Sequence, residues 1–408
     1  MTEPPPIRRR AVEALALTLA AAAVRVAAAW TLGEGAPFGP DGTGLQASIV
    51  LGGHPYPLHT ALLQPFAEVR TLSLLLGSLS PLLLWAWGRR VGLGGGGGWL
   101  LAFLPLGIYP SALAAGDAPA LFVVLLGALL STGPPGLAVV GGALALISVA
   151  IKPIALPALV LLAVRPVSLA GAALCAPVAL KWLDPLVRPR PRGGLLGTWW
   201  VSNDGSPPTD PGRALDMLRG GAQALLDAPP WIGTWLVVFA CVGAAWPRRG
   251  APTLGPGRRA AVLAPVLGLL ATAALFGDRF EARYLAPSLC ALLPWVGAVV
   301  PRGTSALLLW PALALVTQVA AERERQDPRA EPHTGLVVPT PRVDARVLFD
   351  EASTEGATEL RQRAMELAET LPPGATVTVE RRAHGREGEL TWPLAVRRPD
   401  VRVEVVDP

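Results

Sequence analysis

Lysine is almost absent from this chain. It occurs twice, at Lys152 and Lys181, beside a large excess of arginine, and asparagine occurs once, at Asn203. That poverty, with abundant Ala, Gly, Pro and Arg, points to a GC-rich genome and to a bacterium. Cysteine is scarce too. Cys175, Cys241 and Cys290 all fall inside apolar segments, which excludes a disulfide framework and leaves them as expected buried small hydrophobes. Heptads and internal repeats are missing, so neither a coiled coil nor a solenoid is in view. Charge is sparse: 16% of residues are charged against 51% apolar, a balance that a soluble chain with one or two cores does not need. The net charge of +5 is modest, and its arginines sit mainly at the ends of apolar runs. Membrane topology accounts for that placement better than nucleic acid does, and no nucleic-acid partner is expected.

What is there is a series of apolar segments. They run over 11–32, 70–88, 99–115, 118–130, 137–151, 153–164, 167–183, 231–246, 260–277, 284–300 and 304–320. Some are short enough to be half-spanning, so the expected fold is an α-helical polytopic membrane protein with about nine to eleven transmembrane helices. The first segment follows Arg8–Arg10 and is long enough to span. It reads as an uncleaved helix, although "AAAW" before Leu32 would also suit a signal-peptide cleavage site. With the N-terminus cytoplasmic, Arg89, Arg90, Arg165, Arg248, Arg249, Arg258, Arg259 and Arg302 fall inside. Loops 33–68 and 184–230, the Asp117 turn and "GDRFEARY" then lie outside, in the periplasm of a bacterial inner membrane. "GLGGGGGW" (92–99) reads as a flexible cytoplasmic turn, since its glycines lack the strand–turn–helix setting of a nucleotide loop.

The chain divides into a membrane part, 1–321, and a tail, 322–408. In the tail "RVLFD" (346–350), "ATVTVE" and "VRVEVV" alternate as strands do, and 355–370 has Leu360 and Leu367 on one side of a helix. A small extracytoplasmic α/β domain without a catalytic motif is expected.

Polar chemistry concentrates in a few places. The stretch "FGPDGTGLQASIVLGGHPYPLHTALLQPF" separates the first two apolar segments. Leu45, Ile49 and Val50 suit a helix lying along the interface, with Gln46 and Ser48 on its wet side. Asp41 is positioned either to cap that helix or to do acid–base work. His54, Tyr56 and His59 either shape the "HPYPLH" turn or touch a substrate. Asp117 stands in "YPSALAAGDAPALF" at an outer turn. Lys152 stands in "AIKPIALP" amid apolar residues, either snorkelling to the interface or held there for function. Asp278, Arg279, Glu281 and Arg283 form a second charged outer turn, solvated or functional. Trp199 and Trp200 read as interfacial anchors. Together these describe an outward-facing cavity with two separate carboxylates and several cations.

The order of these features resembles the GT-C superfamily of integral membrane glycosyltransferases, in particular the group of protein mannosyltransferases and lipid A aminoarabinose transferases. An early acidic outer loop, "GHPYP", "YPSALAAGDAPAL", "KPIALPALVLL" and "RYLAPSLCALLPW" follow one another as in that group, over roughly residues 1–320. The resemblance implies transfer of a sugar from a polyprenyl-phosphate donor to a lipid, glycan or protein hydroxyl on the outer side. It implies Asp41 as general base or ligand of a divalent cation (Mg or Mn), and Asp117 as the acidic residue of the second outer loop. Lys152, Arg279 and Arg283 would lie at the donor phosphate, and His54, Tyr56 and His59 at the substrate. Many members carry two adjacent acids in the first loop, whereas Asp41 precedes Gly42, which leaves metal use open. Beside this reading stand a transporter or lipid flippase, whose path the same charges would line, and an inactive relative acting as a scaffold.

Overall fold

Proline sets the breaks. A proline ring clashes with the residue before it and pushes that residue out of the helical region. Leu104 (φ −68°, ψ 123°) before Pro105, Pro134 (−59°, 162°) before Pro135, Lys152 (−152°, 119°) before Pro153 and Arg165 (−139°, 115°) before Pro166 are all extended, and a helix stops or starts at each. The structure, a computed structural model, describes residues 6–32, 69–108, 110–112, 116–187, 234–245, 262–263, 265–268, 286–308, 357–380, 390–391, 394, 397–398 and 400–406.

Those residues are mostly helical. The helices are α1 (Pro6–Leu32), α2 (Val69–Arg90), α3 (Gly96–Phe103), α4 (Pro105–Ile108), α5 (Asp117–Ser131), α6 (Pro135–Ile151), α7 (Pro166–Val187), α8 (Thr234–Ala245), α9 (Ala286–Val299) and α10 (Ala357–Thr370). Three 3-10 segments, Pro110–Ala112, Pro153–Val164 and Arg302–Leu308, join them. Among the described residues two helices, over Arg8–Ala29 and Thr71–Arg90, are long and apolar enough to cross a membrane, and α5, α6, α9 and the first half of α7 are shorter apolar helices. The expected 99–115 segment is therefore three short pieces, broken at Pro105. The 153–164 segment is present with the expected bounds as a 3-10 helix, whose rise of about 2 Å per residue makes its twelve residues about 24 Å long.

The helices meet through glycine. A Cβ on Gly127 or Gly141 would strike the opposite backbone between α5 and α6, and one on Gly142 or Gly171 would strike α7 or α6. Close backbone approach at small residues is how helices associate where burying apolar surface adds little. The run Gly96–Gly98 packs in the same way, against Gly297 and Pro294 of α9 and Pro81 of α2. "GLGGGGGW" is thus not the flexible turn expected. Only its start turns, with Gly92 (φ 80°) and Gly94 (φ 84°) in the left-handed region and Gly88 accepting from both Leu93 and Gly94. The rest opens α3, because no larger residue would fit between α2 and α9.

The core holds Leu84, Trp87, Leu101, Leu125, Leu292 and Trp295. Outward, α1 presents Val12, Leu15, Leu19 and Val26 at 58–66% exposure. Cys290 is buried as expected, but Cys241 is exposed on α8 and Cys175 half-buried.

At the C-terminus, β1 (Thr376–Glu380) and β2 (Arg402–Val406) pair in parallel, Thr376 opposite Arg402 and Glu380 opposite Val406. With α10 they enclose Leu360, Ala364, Val379, Leu390, Leu394 and Val401. Arg398 closes the end of α10 by donating to the carbonyls of Ala368 and Leu371, both at 2.9 Å, and it pairs with Asp400 at 2.8 Å. The hydrogen bond from Arg398, helped by one from the Gly374 amide, holds the Asp400 carboxyl well below the usual carboxylate range. "RVLFD" lies outside the described residues.

Candidate functional site

Asp117 and Lys152 meet. The α5–α6 hairpin turns at Thr132–Pro134, so the first residue of α5 and the residue after α6 come to the same end. Asp117 sits in the first turn of α5, where a carboxylate is favoured by the helix dipole and where Pro119 has no amide to waste. Lys152 is extended because Pro153 follows it, and this turns its side chain off the helix line. Its Nζ donates to Asp117 Oδ2 at 2.7 Å, and the residues are 5% and 3% exposed. Lys152 therefore does not snorkel. Ala120, Ile151 and Ala155, each within three residues of one member of the pair, pack together, with Val123 against them.

The opposite end of the hairpin is basic. Arg90 donates to Thr132 Oγ1 at 3.3 Å and Arg165 to the Gly133 carbonyl at 2.6 Å. Arg89 pairs with Glu13 of α1 at 2.9 Å while its guanidinium lies 4.9 Å over the Trp85 ring. The 3-10 segment Pro153–Val164 thus carries the chain back from the Lys152 end to the arginine end.

A third buried charge went unassigned in the sequence. Arg25, which lies late in the first apolar run, is 1% exposed. Pro105 has no N–H to give the Leu101 carbonyl, its helical partner, and the break leaves acceptors facing α1. Arg25 supplies the donors: Nη2 to Leu101 O (3.3 Å) and Gly107 O (3.2 Å), Nη1 to Ala102 O (3.1 Å) and Ala21 O (3.1 Å), and Nε to Ser111 Oγ (3.4 Å). All five guanidinium N–H groups are used. Gly77 makes room, since a Cβ there would fall on Ser111. The legible signal was a charge inside an apolar run together with "LPLG" at 104–107.

Of the other expected site residues, Asp41, His54, Tyr56, His59, Arg279 and Arg283 lie outside the described residues, as do Trp199 and Trp200. Among the described residues no group of three or more His, Cys, Asp or Glu could hold a metal ion. A divalent cation does not fit at Asp117, because the Lys152 ammonium already occupies its carboxylate and would repel a second cation. Neither a family model, nor a curated protein, nor a solved structure matches this chain.

Proposed function

We propose that the chain is a polytopic inner-membrane glycosyltransferase of the GT-C kind, which moves a sugar from a polyprenyl-phosphate donor to an acceptor hydroxyl on the periplasmic side. One observation carries the reading: a buried carboxylate–ammonium pair stands at a helix break, at the end of the α5–α6 hairpin away from the arginines. Ionisable groups are retained at membrane depth for function, since a buried pair adds little stability over apolar side chains. The exposed apolar stripe of α1 supports a bilayer around the molecule, and the arginine end supports a cytoplasmic face there. In this reading the pair lies at the outer face.

In this reading Asp41 takes the acceptor proton. Asp117 is committed to Lys152 and so serves as its positioning residue, turning the ammonium toward the donor phosphate with Arg279 and Arg283. Fixed cations there would stabilise the charge developing on the leaving lipid phosphate. The C-terminal α/β unit would lie in the periplasm.

The test is sugar transfer by purified protein in nanodiscs with labelled polyprenyl-phosphate sugars and envelope acceptors, for wild type and Asp41→Asn, with and without EDTA. Transfer lost in Asp41→Asn with donor binding kept supports the assignment; transfer unaffected removes Asp41 from the chemistry. A second reading, a transporter, is favoured by the same pair being buried and mutually neutralised between broken helices. Its place at one end of the hairpin, rather than midway, favours the enzyme. Absence of transfer with every donor, together with substrate flux in vesicles, would reverse that preference.

A further inference from the structure

The arginine end of the helical assembly gathers charges that are far apart in sequence. α1 and α2 run antiparallel, with Glu13 beside Arg89 and Arg25 beside Gly77. Arg8, Arg9 and Arg10, one turn before Glu13, therefore stand at the level of Arg89 and Arg90. Arg90 reaches Thr132 and Arg165 reaches Gly133 in the α5–α6 turn, which places both at that level too. Arg8, Arg9, Arg10, Arg90 and Arg165 are exposed, and Glu13 is the carboxylate paired among them. The bonds made by Arg90 and Arg165 are to a hydroxyl and a carbonyl, so neither charge is neutralised by its partner. Directly below this rim the outward apolar side chains of α1 begin at Val12 and continue through Leu15 and Leu19. Guanidinium groups above an apolar belt match a lipid with an acidic headgroup: the phosphate takes paired N–H donors while the acyl chains lie along the helix.

We infer that this rim is a docking surface for anionic phospholipid of the leaflet it faces, specific for headgroup charge. It rests on the reading that the apolar helices sit in a bilayer and is independent of sugar transfer.

The experiment follows thermal unfolding of the full chain in detergent titrated with phosphatidylglycerol or phosphatidylcholine. Phosphatidylglycerol is expected to raise the midpoint at lower concentration than phosphatidylcholine, with an advantage that shrinks at high salt. Arg90→Gln with Arg165→Gln should weaken the apparent phosphatidylglycerol affinity by about 30-fold. Glu13→Gln adds a net positive charge and should tighten it by about fivefold, the opposite sign, which damage to the fold would not produce. Arg363→Gln, on the exposed face of α10, should change nothing. An equal response to both lipids, a wild-type response in the Arg90/Arg165 double variant, or an equal effect of inorganic phosphate would overturn the proposal. Failure of the chain to float with vesicles after an alkaline wash would overturn the bilayer reading beneath it, whereas flotation without headgroup preference sinks this inference alone.

Discussion

Removing one member of the Asp117–Lys152 pair should be far worse than removing both. At 2.7 Å the gross attraction in a protein-like medium is about 6 kcal/mol. Withdrawing the two ions from water offsets most of it, at several kcal/mol for each. The net contribution of the pair is thus small, but a single substitution takes from the remaining buried ion the opposite charge it faces at 2.7 Å. Lys152→Met or Asp117→Leu alone is expected to lose about 3–5 kcal/mol of stability, whereas the double variant should return to within about 1 kcal/mol of wild type. The measurement is a four-membered cycle of unfolding free energies in one detergent, read as a coupling energy. Additive losses, with the double variant as unstable as the sum of the singles, would refute the reasoning. Sugar transfer on the same four proteins separates the roles: a stable double variant without transfer marks the pair as functional, and one with full transfer marks it as structural.

Arg25→Leu strands the Leu101 and Ala102 carbonyls at the Pro105 break and should destabilise by about 2–5 kcal/mol, measured as an unfolding midpoint; Arg25→Lys should not rescue it, because three donors on one nitrogen cannot span those acceptors. Gly142→Ala drives a methyl into the Ser168 carbonyl and should destabilise by about 1–3 kcal/mol, while Gly136→Ala, with open space around it, should be neutral or gain up to about 1 kcal/mol. The Asp400 carboxyl is held low by Arg398, so its contribution is present above the ordinary carboxylate range and is lost as pH falls through its depressed native value. A carboxyl titration by NMR on the labelled full chain should find that one group low in wild type and back in the ordinary range in Arg398→Gln.

Helix ends were legible where a local rule controls them. The residue before a proline is disfavoured in the helix, and although Pro81, Pro157 and Pro294 are carried inside helices, the chain does break at Lys152 and Arg165, so the 153–164 segment has its expected bounds, and α5 and α6 end within two residues of those expected. α10, β1 and β2 likewise follow from alternation and amphipathic spacing. Partnerships were harder to read, because they depend on how helices return past one another. Yet Asp117 and Lys152 lie at nearly equal distances either side of Pro134, so an antiparallel hairpin brings them level, and that much was in the spacing. The glycine run was misjudged for a related reason: flexibility is a property of glycine in isolation, and here its lack of a side chain is used for packing. Choice of cation follows the geometry of what each one faces. Arg25 and Arg398 each bridge several carbonyls freed at a helix end, a task for a planar fork with five donors. Lys152 is observed on one carboxylate oxygen of Asp117, a task for a compact point charge. In a chain with only two lysines, that difference is a physical reason for Lys152 to have stayed a lysine.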